Sequence, residues 1–348
     1  MSSIDNLNCD QHILWKEIQK QNIRTLGALS SLPNLSSAQL ELFEQNERFP
    51  CNIPVRLAHK IEQGNLNDPI LLQFLPTKEE SFYSSGFSDD PLQEKNFLKT
   101  PRLLQKYHGR ALLLLTGACA MHCRYCFRSQ FEYANFSYNF SKEIEIIRQN
   151  RSIEEIIFSG GDPLSLSENS LKKVLDQIAS VPHIRRIRFH TRFPVGIPER
   201  INECFLNLIS SFQNRFQFWF FLHINHKNEL GDDLFQSILG IQKLGIPVGT
   251  QTVLLKGVND STESLSSLFT QVIDRGIFPY YLFQLDRVSG SSRFEVSIDK
   301  GLKIMEEIKK LLPGYAIPRY VQEVPNRPYK EALTANSLVL HAIDQIDP

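Results

Sequence analysis

The stretch Gly117-Ala118-Cys119-Ala120-Met121-His122-Cys123-Arg124-Tyr125-Cys126-Phe127-Arg128 sets three cysteines in the spacing C-x3-C-x2-C. It follows directly on an apolar run, Ala111-Leu112-Leu113-Leu114-Leu115, that reads as a buried strand. Three thiolates on one short loop can hold three irons of a [4Fe–4S] cluster, each through its own sulfur, and leave the fourth iron without a protein ligand. A structural zinc site would need a second Cys/His pair further on, and the sequence has none of that form. His122 inside the loop reads as structural more readily than as a ligand. Cys9, Cys51 and Cys204 stand apart and read as ordinary thiols rather than as a disulfide framework.

Outward from that loop, short runs rich in leucine, β-branched or aromatic residues recur at 111–116, 155–158, 185–191, 216–223, 248–255 and 280–285. Amphipathic stretches at 141–149, 168–180, 198–212, 229–244, 262–275 and 297–312 alternate with them and read as helices. In one of these, Leu230, Leu234, Ile238, Ile241 and Leu244 recur at helical spacing, as a face packed on a sheet requires. Strand–helix repetition predicts parallel strands joined by right-handed crossovers. Six units predict an α/β fold with a partial (βα)6 barrel over 101–312. Residues 1–100 are expected to form a helical N-terminal region, with helical pieces at 10–19, 37–46 and 53–62 and a loop-dominated stretch at 68–100. Residues 313–348 are expected as a short C-terminal segment.

Lys plus Arg equals Asp plus Glu at 38 each, so the formal net charge is zero. That leaves no global electrostatic case for nucleic-acid or anionic-membrane binding. No apolar run approaches the roughly 18 residues of a spanning helix. The first residues lack the basic and apolar segments of a signal peptide. A reducing cytoplasm is the expected setting, and it suits an oxygen-sensitive cluster.

The cysteine spacing is similar to the signature of the radical-SAM superfamily. A second motif, Ser159-Gly160-Gly161-Asp162-Pro163-Leu164, follows the second strand run, at the strand end where parallel barrels bind ligands. Together with Thr191-Arg192-Phe193-Pro194-Val195, the segment from Thr252 to Asp260, and Pro279-Tyr280-Tyr281-Leu282, these motifs resemble the lysine 2,3-aminomutase family across residues 106–330. Length and ending favour its short branch, which makes β-lysine for elongation factor P (EF-P).

The resemblance implies a radical-SAM, pyridoxal-phosphate-dependent isomerase that converts L-α-lysine to β-lysine. It implies a [4Fe–4S] cluster on Cys119, Cys123 and Cys126. S-adenosylmethionine would lie against Ser159, Gly160, Gly161, Asp162, His223, Asn225 and His226. Pyridoxal phosphate would be joined through Lys330, the imine-forming catalytic lysine, with Lys106 and Arg110 on its phosphate and Gln251 as a polar liner. In the substrate site, Arg128 would take the carboxylate, and Asp286 and Glu323 the ε-ammonium. A guanidinium offers a carboxylate two parallel donors.

The implied partners are lysine, an electron donor such as flavodoxin or ferredoxin, and functionally EF-P with its lysyl ligase; a homo-oligomer is compatible. The sequence departs from the family where Pro325, Asn326 and Arg327 replace glycines before Lys330, and where Phe283 and Arg293 replace histidines. Two alternatives stay open at this level. One is a radical-SAM enzyme acting without pyridoxal phosphate on another substrate. The other is a non-catalytic, metal-stabilised binding module.

Overall fold

The structure, a computed structural model, describes residues 11–25, 27–28, 41, 43–44, 49–133 and 139–334. Its centre is a ten-stranded sheet whose spatial order is the chain order. The strands are β1 (Leu98–Thr100), β2 (Leu103–Leu104), β3 (Arg110–Thr116), β4 (Glu155–Gly160), β5 (Arg186–Thr191), β6 (Gln217–His223), β7 (Val248–Val253), β8 (Phe278–Phe283), β9 (Arg319–Gln322) and β10 (Glu331–Ala332). From β3 to β9 each strand runs parallel to the next. β1, β2 and β10 are antiparallel additions at the two ends. The fold is therefore α/β, with a mostly parallel, open sheet.

Strands β3 to β8 lie within two residues of the six runs read from the sequence. The sheet is longer than expected because β1, β2, β9 and β10 were not visible. Each is two to four residues long, too short to carry an alternation, and is defined only by its pairing with a longer neighbour.

The helices are α1 (Gln11–Lys20), α2 (Val55–Ala58), α3 (Pro69–Phe74), α4 (Ser141–Gln149), α5 (Glu168–Ala179), α6 (Phe193–Gly196), α7 (Glu203–Ser211), α8 (Asp232–Lys243), α9 (Thr262–Ile273) and α10 (Ile298–Leu311). Four of the crossover helices start the same way. Ser167, Asn202, Ser261 and Ser297 each accept a hydrogen bond from a backbone N–H three residues on. Such a cap is worth about 1 kcal/mol and fixes where the helix begins. Leu234, Ile238 and Ile241 of α8 are buried, as the periodicity required.

The stretch 68–100 is less loop-like than expected. Asp68 and Pro69 open α3, with the Asp68 carboxylate accepting from Ile70 N and Leu71 N. The helical piece expected at 53–62 is the single turn α2. The one expected at 37–46 lies largely outside the described residues. Cys204, expected as an ordinary thiol, is disulfide-bonded.

Alternation along the strands separates core from site. On β5, Ile187 and Phe189 are fully buried in the main apolar cluster. There the Phe189 ring stacks on Phe220 at 4.6 Å. The intervening Arg188 and His190 face the barrel cavity.

At the carboxyl end of β4 the chain passes unusually close to the loop after β3. Gly161 N donates to Thr116 O at 2.7 Å and Asp162 N to Ala118 O at 2.8 Å. A Cβ on Gly160 would stand 2.3 Å from Thr116 O, and one on Gly161 2.3 Å from Ala118 O. Gly160 also has φ +127°, which side-chain-bearing residues rarely adopt. The two glycines thus let the β4 turn press on the base of the cysteine loop. Gly161→Ala is expected to cost about 1–3 kcal/mol through overpacking. Urea unfolding should show this as a lower midpoint, whereas Gly314→Ala, where an added Cβ meets nothing within 4 Å, should stay near the wild-type midpoint.

Candidate active site

The cysteine loop orders itself by burying what lies between the cysteines. Met121, Arg124 and Tyr125 are each about 5% exposed or less. Arg124 pairs with Glu80 and donates to Phe49 O at 2.6 Å. His122 Nδ1 lies 2.8 Å from Pro50 O, and its ring stacks on Phe49, a structural arrangement. Cys126 N donates to Cys123 O at 2.9 Å, which tightens the last turn. Cys119, Cys123 and Cys126 are left along the wall of a cavity of about 570 Å³. That size is usual for a small-molecule site.

The thiols fit an iron–sulfur cluster better than a single ion. Among the described residues no three His, Cys, Asp or Glu side chains are gathered closely enough to share one metal ion. A cuboidal cluster asks each sulfur to meet a different iron. Burial, the Asp162 carboxylate and the two other cysteines push the Cys119 thiol well above its ordinary range. Burial and Cys123 push Cys126 up to about 11. Metal ligation requires the thiolate form, so iron would replace those protons.

Beside the cluster loop, Ser159, Gly160, Gly161 and Asp162 line the same cavity. The Asp162 carboxylate, however, faces the frame. It accepts from Thr191 Oγ1 at 2.7 Å, Arg192 N at 2.7 Å, Phe193 N at 2.9 Å and Leu164 N at 3.0 Å. Burial raises it to about 6 against the pull of those four donors. His223 lines the cavity, with Nε2 2.8 Å from the Tyr125 hydroxyl. Asn225 and His226, expected beside S-adenosylmethionine, are not on the cavity wall. Asn225 is fully buried and bonded to Gln73, Tyr125 and Val253 N. His226 accepts from Asn228 N at the start of a single helical turn. Both residues belong to the wall behind the site.

The far end of the cavity holds the residues read as pyridoxal and substrate ligands. Lys330 pairs with Glu323, whose other oxygen accepts from Lys106 Nζ at 3.1 Å and the Tyr107 hydroxyl at 2.7 Å. Burial pushes the Glu323 carboxyl up, but Lys330, Lys106 and Tyr107 outweigh it and hold it at about 2. Asp286 lines the same end of the cavity. Burial and the Glu323 charge raise it to about 7, against the pull of Lys330 and Lys106. The Arg110 guanidinium lies over the Tyr107 ring at 4.5 Å, and Lys330 Nζ lies 5.4 Å from the same ring. Gln251, Phe221, Tyr280, Tyr281 and Phe283 complete a largely aromatic wall.

Arg128 lines the same cavity. Its Nε and Nη2 donate to the two oxygens of Glu94 at 2.8 and 2.7 Å, and Nη1 donates to Ser159 Oγ at 3.0 Å. An arginine has five N–H donors, so two remain for a further acceptor such as a carboxylate.

The cavity therefore gathers the cysteines, Arg128, the glycine turn, His223, Gln251, Asp286, Glu323, Lys330, Lys106 and Arg110. Glu94, Tyr107, Tyr125, His190 and Arg192 also line it and were not singled out. Tyr107 stands between two basic residues that were, and Tyr125 lies inside the cysteine loop. Glu94 carried no local signal, because its partner is 34 residues away.

The sequence matches the radical SAM superfamily over residues 113–268. The L-lysine 2,3-aminomutase of Escherichia coli (strain K12) is 38% identical over 338 residues, which cover 96% of this chain and 98% of that protein. The L-lysine 2,3-aminomutase of Haemophilus influenzae is 36% identical over 320 residues, covering 91% and 94%. That of Clostridium subterminale is 29% identical over 290 residues, covering 82% and 69%.

Replacing Cys119, Cys123 or Cys126 singly by Ala should each remove most of the iron and sulfide loaded under anaerobic reconstitution. Cys51→Ala should keep both, because Cys51 is buried away from the cavity. Iron and sulfide analysis of the four variants checks this, and a Cys119→Ala protein with full iron would contradict the cluster reading.

Proposed function

The chain belongs to the lysine 2,3-aminomutase family of the radical SAM superfamily, and on that premise we propose that it interconverts L-α-lysine and β-lysine with pyridoxal phosphate as second cofactor. It is an isomerase that works with a [4Fe–4S] cluster and S-adenosylmethionine. When bound, these groups supply one electron and a hydrogen-abstracting carbon radical, and pyridoxal phosphate a π-system over which an unpaired electron can spread. The observation that carries the reading is that the three cysteines, Arg128 and Lys330 line one cavity.

Each residue then has a task that its surroundings permit. Cys119, Cys123 and Cys126 hold the irons. Lys330 offers its amine to the cofactor aldehyde, while Lys106 and Arg110 give the cofactor phosphate two cations. The two remaining donors of Arg128 take the substrate carboxylate. Asp286 and Glu323 take the distal ammonium; once Lys330 is engaged elsewhere, Glu323 has lost one of its two cations and can accept another. The aromatic wall excludes water, which protects a reactive radical from side reactions. Ser159, Gly160, Gly161 and His223, which line the same cavity as the cysteines, would contact S-adenosylmethionine.

We further infer that the product serves β-lysylation of EF-P by a separate ligase, in the cytoplasm, with a flavodoxin- or ferredoxin-type reductant. That inference rests on the resemblance of the sequence motifs to the short branch of the family. No helix among the described residues is long and apolar enough to cross a membrane.

Anaerobic incubation with lysine, S-adenosylmethionine, pyridoxal phosphate and dithionite should yield β-lysine by mass spectrometry. Lys330→Ala should abolish that yield and the borohydride-trapped cofactor adduct, yet keep the iron. An adduct mapped instead to Lys256, which lies off the cavity wall, would reject the assignment.

The pH profile gives a second test. Asp286 must be charged to hold an ammonium, and without substrate it loses its proton near 7. For the wild type, kcat/KM for lysine should therefore fall about tenfold per pH unit below that point and level off above it. Asp286→Asn should lose this limb and drop about 100-fold or more at pH 8, in line with removing one partner of a buried pair.

A further inference from the structure

Arg192 follows β5 and enters the wall behind the cluster loop, where its side chain is 6% exposed. Its Nη1 donates to Cys123 Sγ at 2.8 Å and to the Tyr125 hydroxyl. Its Nη2 donates to Gln73 Oε1 at 2.7 Å and to Glu229 Oε2 at 2.9 Å. Glu229 is fully buried, and its other oxygen accepts from Gln73 Nε2, Asn225 N and His226 N at 2.9–3.1 Å. Asn225 Nδ2 closes the lattice on Tyr125 and Gln73 at 2.6 and 3.0 Å. The guanidinium is thus fixed from behind by an anion and by neutral amides, and one of its N–H groups is aimed at a cysteine sulfur.

We propose that Arg192 and Glu229 form a built-in pair that sets the reduction potential of the cluster, Arg192 raising it through its hydrogen bond and charge at Cys123, and Glu229 lowering it. The proposal rests on the cluster reading of the three cysteines. Cluster potentials depend on net charge and on hydrogen bonds to the ligand sulfurs. Reduction adds one electron to the cluster from a one-electron donor protein and breaks no bond. A positive donor at a ligand sulfur stabilises the more negative, reduced form, and a carboxylate bound to that donor offsets part of the gain. This also accounts for Asn225 and His226, which hold Glu229 rather than a ligand.

The pair makes predictions of opposite sign, which a purely structural role would not. The reconstituted full-length protein is titrated anaerobically with low-potential mediators, without S-adenosylmethionine, and the reduced cluster is read by electron paramagnetic resonance. Arg192→Gln should shift the midpoint downward by at least a tenfold change in the reduction equilibrium, about 59 mV for one electron. Arg192→Lys, which keeps the charge, should shift it less. Glu229→Gln, of the same shape, should shift it upward. If Arg192→Gln does not retain iron, the sign of the Glu229→Gln shift decides alone. A Glu229→Gln midpoint at or below wild type, or an unchanged midpoint in an iron-replete Arg192→Gln, overturns the proposal. Absence of a cluster signal in the wild type would instead reject the cluster reading beneath it.

Discussion

Two backbone hydrogen bonds, Gly161 N to Thr116 O and Asp162 N to Ala118 O, hold the loop after β3 against the turn after β4. The cysteine side of the site depends on that closeness. It sets the height of the cysteine loop above the sheet, and so where three thiols meet the cavity. It also brings Asp162 under the end of β5, where four donors converge on its carboxylate. Thr191, Arg192 and Phe193 are thereby fixed, and Arg192 can reach Cys123. Only residues without a side chain tolerate such an approach, so the glycines serve as a joint between strands.

Charge at the site is matched locally, pair by pair. Arg128 meets Glu94, Arg192 meets Glu229, and Glu323 meets both Lys330 and Lys106. Breaking such a buried pair by removing one partner costs about 3–5 kcal/mol, so none of these side chains is free to drift. Asp286 is the exception, a buried carboxyl whose neighbours include Glu323 as well as the two lysines. Burial and the Glu323 charge raise it to about 7 against the pull of Lys330 and Lys106. A ligand bearing an ammonium at that end would complete the set.

Much of this was legible in the sequence where the signal was local. The cysteine spacing, the apolar runs and the Ser–Gly–Gly–Asp turn are each contained in a dozen residues, and each stands where it was expected. The Ser and Asn caps mark helix starts in the same way. The remainder depends on contacts far apart in the chain. β9 is four residues long and is a strand only because β8 lies beside it. Glu94 looks like an ordinary surface charge until the fold brings Arg128 to it, and nothing in the motif around Arg192 reports that its guanidinium reaches Cys123. Asn225 and His226 lie two and three residues beyond His223, which does face the cavity. Past the strand end the chain turns away, and no periodicity reports where that happens. Lys106 and Glu323 were both read as site residues, but that they pair with each other across 217 positions could not be read.

That long-range pair has a consequence for how the cavity is enclosed. The wall behind the cysteine loop already joins residues as far apart as Gln73 and Glu229, 156 positions. The lysine-bearing half exists only when residues 323–330 have returned to meet Lys106 and Tyr107 beside the opposite end of the sheet. The segment between β9 and β10 therefore closes the cavity across the span of the sheet, so that its enclosure is a property of the full chain and of no single strand–helix unit.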